Sequence, residues 1–524
     1  MDRPRIGIMR FTVLAVAMIA TALTTLPSAV SSAAVSTGAS ACSDITLSPS
    51  ASILTPTSDA TAYAAAQNGG FNPLNNKLTP SCIVQPLTTS DVSTVMKAIY
   101  KNKANYAVRA GGHTGMAGWD SVQKGVLIDF SKMTAFSYDE SKGTVSVEPG
   151  LRWGQIYEKA EEFGVCPMGG RVEHVGTGLI LGGGLSLLSP QYGYACDGLV
   201  SADVVMVDGK VKKVDSASDP GLFRAIKGGG GRFGIVTKYE LKAFPTGHKT
   251  DKLWYGGSIT TLTPTGMDQL VQATEKFTAT PDDPKATLLT NVGMLKTAGT
   301  PLWLGNAYLF YKGNQAQFES TFKDLLSIPD LIVDTKPISY LEAAAITPLG
   351  WNSTQAYKWM GGSLYPNTSL TTSPPPSLPL IPSSDLPTSW LSTWNNVKTF
   401  ITKHIDVIES GFWSLTPVRT NQIEMGYSAG GNAISPPRGK NYVHWLFSQI
   451  LADGTTSFPE DFEKDRQTFL AANPSSAGLP LFLNEVDADQ KTFQTYGWYN
   501  DLKKEYKRVD PKGFAVQHQV GPTF

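Results

Sequence analysis

"DPGLFRAIKGGGGRFGIVTKYELKAF", Asp219 to Phe244, decides between folds. Within it Gly229, Gly231 and Gly234 meet the G-x-G-x-x-G spacing of a dinucleotide-binding turn. Such a turn works when a strand precedes it and a helix follows, because the helix N-terminus then meets the pyrophosphate. Here the order is reversed. The stretch predicts a helix over Pro220–Ile226 and a strand over Gly234–Phe244. A Rossmann unit is excluded, and with it a simple nicotinamide dehydrogenase.

Two more glycine runs lie upstream, "VRAGGHTGMAG" at Val108–Gly118 and "GTGLILGGGLSLL" at Gly176–Leu188. The first follows a predicted strand, Tyr106–Ala110, and holds a histidine, His113, in mid-turn. One such run is an ordinary tight turn. Several in one unit, with Arg109 and His113 among them, point to loops converging on one extended ligand that bears a pyrophosphate. Backbone N–H groups in such turns bind anionic oxygens without a basic surface. That suits a chain with 44 basic and 44 acidic side chains, a balance that argues against nucleic acid as the main partner.

The 524 residues leave room for two or more domains. Residues 1–33 read as a secretory signal: Arg3, Arg5 and Arg10, then the apolar stretch Phe11–Leu23, then mostly small residues over Ser28–Ala34. A single membrane anchor is the rival reading, but the apolar core is short of the roughly 20 residues a span needs. Secretion makes disulfides available. Cys42 and Cys82 are read as a pair; Cys166 and Cys196 are left free, paired or chemically used. Two N-x-[ST] sequons, at Asn352 and Asn367, fit a secreted glycoprotein.

Residues 34–77 form an N-terminal segment rich in Ser, Thr and Ala with weak periodicity. Residues 78–247 read as a strand-rich α+β unit. It holds a helix over Ser90–Lys103 with Asp91 at its start, a helix ended by Gly164, and a hairpin turning at Asp208-Gly209. Residues 248–475 alternate strands and amphipathic helices at longer spacing, with a Pro/Ser-rich loop or lid at Ser373–Pro387. Residues 476–524 close the chain.

These stretches resemble the FAD-linked oxidases of the vanillyl-alcohol-oxidase/p-cresol-methylhydroxylase fold, and most closely the fungal-type berberine-bridge-enzyme-like branch. "VRAGGHTGMAG" resembles the family's pyrophosphate loop, and "LILGGGLSLLSPQYGYACDGLVSADVVMVDGKV" its second flavin-binding stretch. "FLNEVDAD" (Phe482–Asp489) is similar to its Y-x-N-x-x-D-x-D motif, with Phe482 in the tyrosine's place. "YKRVDPKGFAVQHQVGP" resembles its terminal segment. The likeness implies an α+β fold: a two-part FAD-binding domain over 78–247, an antiparallel-sheet substrate domain with covering helices, and a C-terminal segment returning to the FAD domain.

It further implies FAD held by Arg109, Ala110, Gly111, Gly112, His113, Thr114, Gly115 and Gly118 of the first loop. Gly178, Gly182, Gly183 and Gly184 of the second contribute, as do Gly231, Gly234 and Val236 of the third, and Asn484. The histidine of the family's R-x-G-G-H loop is bonded to the flavin 8α carbon, which places that role on His113. "CPMGGRVEHVG" begins like a stretch that carries a second, cysteinyl link in some members, but its spacing departs. For Cys166 a flavin bond, a buried thiol and a disulfide with Cys196 all stand.

The activity implied is transfer of two electrons from a small alcohol, sugar or specialised metabolite to FAD and on to dioxygen, giving hydrogen peroxide. Oxidative cyclisation of a natural product and a non-catalytic flavin-retaining binder are the alternatives. On the strand "YVHWLFSQI", Tyr442, His444, Leu446 and Ser448 share a face. His444 is the first candidate for the base and Tyr442 the second. Trp351, Tyr357 and Trp359 are candidates for stacking on substrate. No metal is assigned, a monomer is expected, and no membrane contact is expected once the signal is removed.

Overall fold

In the computed structural model, the described residues are 37–346, 355–367, 390–455 and 457–524, and Ser36–Phe524 forms one compact unit. The signal reading, the Pro/Ser-rich loop, the sequon at Asn352 and Trp351 lie outside them; the sequon at Asn367 is cut by the boundary.

Among the described residues the strands form three sheets. The first is four-stranded, ordered β1-β2-β4-β3, from Ser52–Leu54 (β1), Cys82–Gln85 (β2), Tyr106–Arg109 (β3) and Val126–Asp129 (β4). Its β2, β4 and β3 run parallel. The second is six-stranded, β5-β6-β10-β8-β9 with β7 also on β10. It comprises Phe136–Asp139 (β5), Thr144–Val147 (β6), Val165–Pro167 (β7), Leu199–Val205 (β8), Val211–Asp215 (β9) and Ile235–Pro245 (β10), paired antiparallel. The Asp208-Gly209 hairpin joins β8 to β9, with Gly209 at φ +81°.

The third sheet is seven-stranded, antiparallel, and ordered β14-β11-β13-β12-β16-β17-β15. Its strands are Trp254–Thr261 (β11), Ala286–Thr297 (β12), Thr300–Tyr311 (β13), Ile332–Ile338 (β14), Tyr357–Leu364 (β15), Ile408–Val418 (β16) and Tyr442–Leu451 (β17). Strand alternation gives this sheet two apolar faces. Ala307, Leu309 and Tyr311 of β13 pack with the helices Pro264–Ala279 and Trp390–Lys403. Their neighbours Tyr308 and Phe310 join the core built on the first two sheets. In β17, Val443, Trp445 and Phe447 face the helices. Tyr442, His444 and Leu446 therefore face the other way, toward the glycine loops.

The weakly periodic residues after 34 carry more structure than their texture suggests. Thr37–Asp44, Ala60–Gln67 and Pro73–Asn76 are helices, the last two capped by Asp59 and Asn72. Small side chains blur periodicity but allow close packing, and the Cys42–Cys82 disulfide ties the first helix to β2. The helix predicted from Asp91 starts at Thr89. Thr88 caps it, and Asp91 is the capping-box partner.

Candidate functional site

The glycine loops meet at one cavity. Ala110, Gly111, Gly112, His113 and Thr114 line it from the loop after β3, and Gly176, Gly178 and Gly182 from the second run. Gly230, Gly231, Gly234 and Val236 line it from the third run, and Phe482 to Val486 from the C-terminal motif. The large antiparallel sheet contributes Trp359 and Leu446. The glycines are there because backbones nearly touch: a Cβ on Gly111 would lie 2.6 Å from the Gly176 backbone. A Cβ on Gly182 would strike the Asn484 amide oxygen at 1.7 Å. At Gly178 a Cβ would meet nothing within 4 Å, because it would project into the cavity.

His113 stacks on Phe71, ring centroids 4.1 Å apart, and the Phe71 N–H donates to the Gly112 carbonyl at 2.8 Å. Burial, with Arg152 and His174 nearby, brings the His113 pKa down to about 4. The ring is therefore neutral at physiological pH. Asn484 donates from Nδ2 to the Leu179 carbonyl at 2.9 Å, while its buried Oδ1 has no protein partner. Arg171 donates to Glu485 at 3.0 Å and to Thr416 of β16 at 2.7 Å. Burial raises the Glu485 pKa despite that guanidinium, and lowers that of Arg171.

Several expected residues lie elsewhere. Arg109 is buried, and its guanidinium donates to Asp129 and the Ala66 carbonyl rather than lining the cavity. Gly115 makes room for the Trp359 indole, which a Cβ would strike at 2.3 Å. Gly118 has φ +78°, and its N–H donates to Asn75 Oδ1. Gly183 and Gly184, at φ +103° and +73°, offer their carbonyls to Cys196 and Ala195 in a packed turn. Cys166 sits on β7, paired with Phe244, away from the cavity lining. It is fully buried, which pushes its thiol pKa up, and neither it nor Cys196 forms a disulfide. The geometry gives Cys166 the buried-thiol role and corrects the cysteinyl-link and Cys166–Cys196 readings. Tyr357 packs tilted on Phe71, ring centroids 4.1 Å apart, whereas Trp359 does reach the cavity.

The structure also corrects the base assignment. Leu446 reaches the cavity, but His444 and Tyr442 do not. His444 lies stacked against Phe482, centroids 5.0 Å apart, and Phe482 forms the wall. Both its nitrogens are taken. Ser363 Oγ donates to the Pro480 carbonyl at 2.6 Å, so it accepts from His444 Nδ1 at 2.8 Å. Nε2 then accepts from the Tyr194 hydroxyl at 2.9 Å, and that oxygen accepts from Tyr442 at 2.6 Å. Burial first, then Arg171, lowers the His444 pKa to about 3. The chain ends on a carbonyl, so it has no onward path for a proton. Its job is to fix the C-terminal motif against the sheet.

Sequence reasoning missed Arg171, Glu485 and Asp120, all in the lining. Arg171 stands inside "GGRVEHVG" and Glu485 at a variable place in the C-terminal motif, so neither carries a spacing signal. The two motif aspartates serve docking: Asp487 pairs with Lys358 at 2.6 Å and Asp489 with Arg466.

Residues 80–215 match the family described as an FAD binding domain. An FAD-dependent monooxygenase, sdcF, of Emericella nidulans is 35% identical over 54% of this chain and 58% of its own length. The chain spans about half the length of the first curated relatives it matches. A longer match, 28% identical over 82% of this chain and 80% of the relative, is to an FAD-dependent monooxygenase of Arthrobotrys oligospora. Among solved structures, berberine bridge enzyme from Eschscholzia californica superposes with TM-score 0.69 at 20% identity, covering 91% of this chain and 97% of that one. For 6-hydroxy-D-nicotine oxidase from Arthrobacter nicotinovorans the values are 0.68, 19%, 90% and 97%. The residues present fit FAD: glycine backbones open to the cavity at Gly178 and an unsatisfied buried acceptor on Asn484. Residues 80–215 thus carry an FAD binding domain, and the chain as a whole shares the fold of berberine bridge enzyme and 6-hydroxy-D-nicotine oxidase.

Proposed function

We propose that this protein is a secreted FAD-dependent oxidase. It takes two electrons from a small organic substrate and passes them to dioxygen, releasing hydrogen peroxide. The supporting observation is that one cavity joins the glycine loops to side chains of the large sheet, Trp359 and Leu446, beside His113. Bound FAD supplies the two-electron oxidant. Trp359, Leu446 and Phe482 give the substrate an apolar wall, and the Arg171–Glu485 pair is set into it. Glu485 takes the substrate's acidic proton, which its raised pKa favours, and Arg171 holds the carboxylate in place. His113 is the covalent tether, since its neutral imidazole keeps a lone pair for the electrophilic flavin methyl group. The Cys42–Cys82 disulfide supports an oxidising compartment, and among the described residues no helix is long and apolar enough to cross a membrane.

Acid-denatured protein is expected to stay yellow after filtration, with the flavin adduct mapped to His113. His113→Ala should release its flavin on denaturation, and a flavin still attached would overturn the tether. Several relatives are named monooxygenases. Reoxidation of substrate-bleached protein under labelled dioxygen separates the activities. An oxidase releases all the label as hydrogen peroxide, whereas a monooxygenase puts one atom into product.

A further inference from the structure

Asp120 lines the cavity beside His113, Arg171 and Glu485 but has no part in the chemistry given to them. It follows the first glycine loop, is 3% exposed, and lines the same wall as Gly112 and Thr114. Both its carboxyl oxygens are buried and make no well-formed hydrogen bond; only weak contacts from the Asn75 side chain and its own backbone N–H touch them. The charged groups facing it are Arg109 and Asp129, from the ends of β3 and β4, and the Asn75 side chain is within weak hydrogen-bonding reach. Arg109 acts on it through charge and not through a hydrogen bond: its Nη2 bonds Asp129 and the Ala66 carbonyl.

A buried carboxylate with so few donors is costly to ionise, which favours the neutral acid. A neutral carboxylic acid in the same place carries one O–H donor and needs an acceptor. The cavity it faces is the one that fits FAD, a molecule rich in phosphate, ribityl and ring acceptors. The remaining charges of the lining, Arg171 and Glu485, cancel each other as an ion pair. A second anion at Asp120 would leave the wall net negative against a diphosphate. Burial is the main influence on this carboxyl and holds its pKa at about 7, so both forms are accessible before cofactor arrives.

We propose that Asp120 stands as a neutral acid in the FAD-loaded protein and donates a hydrogen bond to an oxygen of the cofactor, so that FAD capture takes up one proton. The carboxylate gains that proton from solvent, and no electrons move. The inference needs only that FAD binds, and is independent of the oxidase chemistry.

The test uses the full-length His113→Ala chain, stripped of flavin, with FAD binding read from quenching of flavin fluorescence. FAD has no group of its own that titrates in the window used. Affinity should be level below about pH 6.5 and fall about tenfold per pH unit above about 7.5. Calorimetry in buffers of different ionisation heat should show proton uptake on the alkaline side. His113→Ala with Asp120→Asn keeps a donor at that place and should bind with no pH slope. A level affinity across the range, no proton uptake, or an unchanged slope with Asp120→Asn would each overturn the proposal. Flavin that cannot be stripped from His113→Ala contradicts the tether, not Asp120. The infrared difference between FAD-loaded wild type and Asp120→Asn then decides. A protonated-carboxyl stretch at neutral pH supports the proposal, and its absence overturns it.

Discussion

Two carboxyl groups share the cavity wall, and their surroundings treat them differently. Glu485 has a guanidinium 3.0 Å away, whereas Asp120 has no ion pair and no well-formed hydrogen bond. Glu485→Gln keeps the size and one acceptor oxygen but cannot take a proton. Anaerobic bleaching of the flavin by substrate should slow about 10²-fold or more, with little change in half-saturation. Equal bleaching rates would remove Glu485 as the base and leave the oxidase reading standing. His444 shows why this site was only partly legible from residues. Alternation on β17 identifies the face of the sheet correctly, and Leu446 on that face reaches the cavity. The pattern carries no depth, so it could not show that Phe482 comes between His444 and the open space. Arg109 misled in a similar way. Its place beside the glycine loop is as expected, but its charge is spent on Asp129, a residue of the neighbouring strand.

At the scale of elements, the loops were the most readable part, because glycine is demanded for two separate reasons. Gly112, Gly230 and Gly234 have φ of +67°, +64° and +124°, which side chains rarely adopt. Gly111 and Gly176 permit two backbones to cross. Gly178 belongs to neither group: its φ is ordinary and a Cβ there is free to project. Gly178→Leu should therefore fold with a melting midpoint close to wild type, yet bind at least about tenfold less FAD by absorbance after gel filtration. Normal flavin content would show that the cofactor lies away from this loop. Gly111→Leu should fail to fold, since its side chain would occupy the Gly176 backbone. Of the two smaller sheets, β3, β8, β9 and β10 were visible in the sequence, whereas the short β1, β5 and β7 were not. The helices after residue 37 were not, because Ala, Ser and Thr give little contrast between buried and exposed positions.

Across the whole molecule, stability and cofactor binding are joined at the C-terminal end. Arg232, from the third glycine run, is 1% exposed and donates to the carbonyls of Ala515, Gln519 and Pro522 at 2.8–2.9 Å. Gln519 lines the cavity, and Gly521 lies against the Trp119 ring, which also lines it. Removing residues 519–524 strips two acceptors from a buried cation. The expected cost is about 3 kcal/mol or more, with loss of flavin, read by thermal melting and absorbance. A truncated chain that keeps its flavin would show that the tail merely covers the site. Cys42→Ser gives a contrast at the far end of the chain: opening a loop with sequence separation 40 should cost roughly 2–4 kcal/mol but leave flavin content unchanged.

The grip of Arg232 on those late carbonyls also sets an order of events during synthesis. His113 leaves the ribosome roughly 400 residues ahead of Gln519. The imidazole loop can thus form early, but the part of the cavity wall that includes Gln519 is set only once the late carbonyls that Arg232 holds have been made.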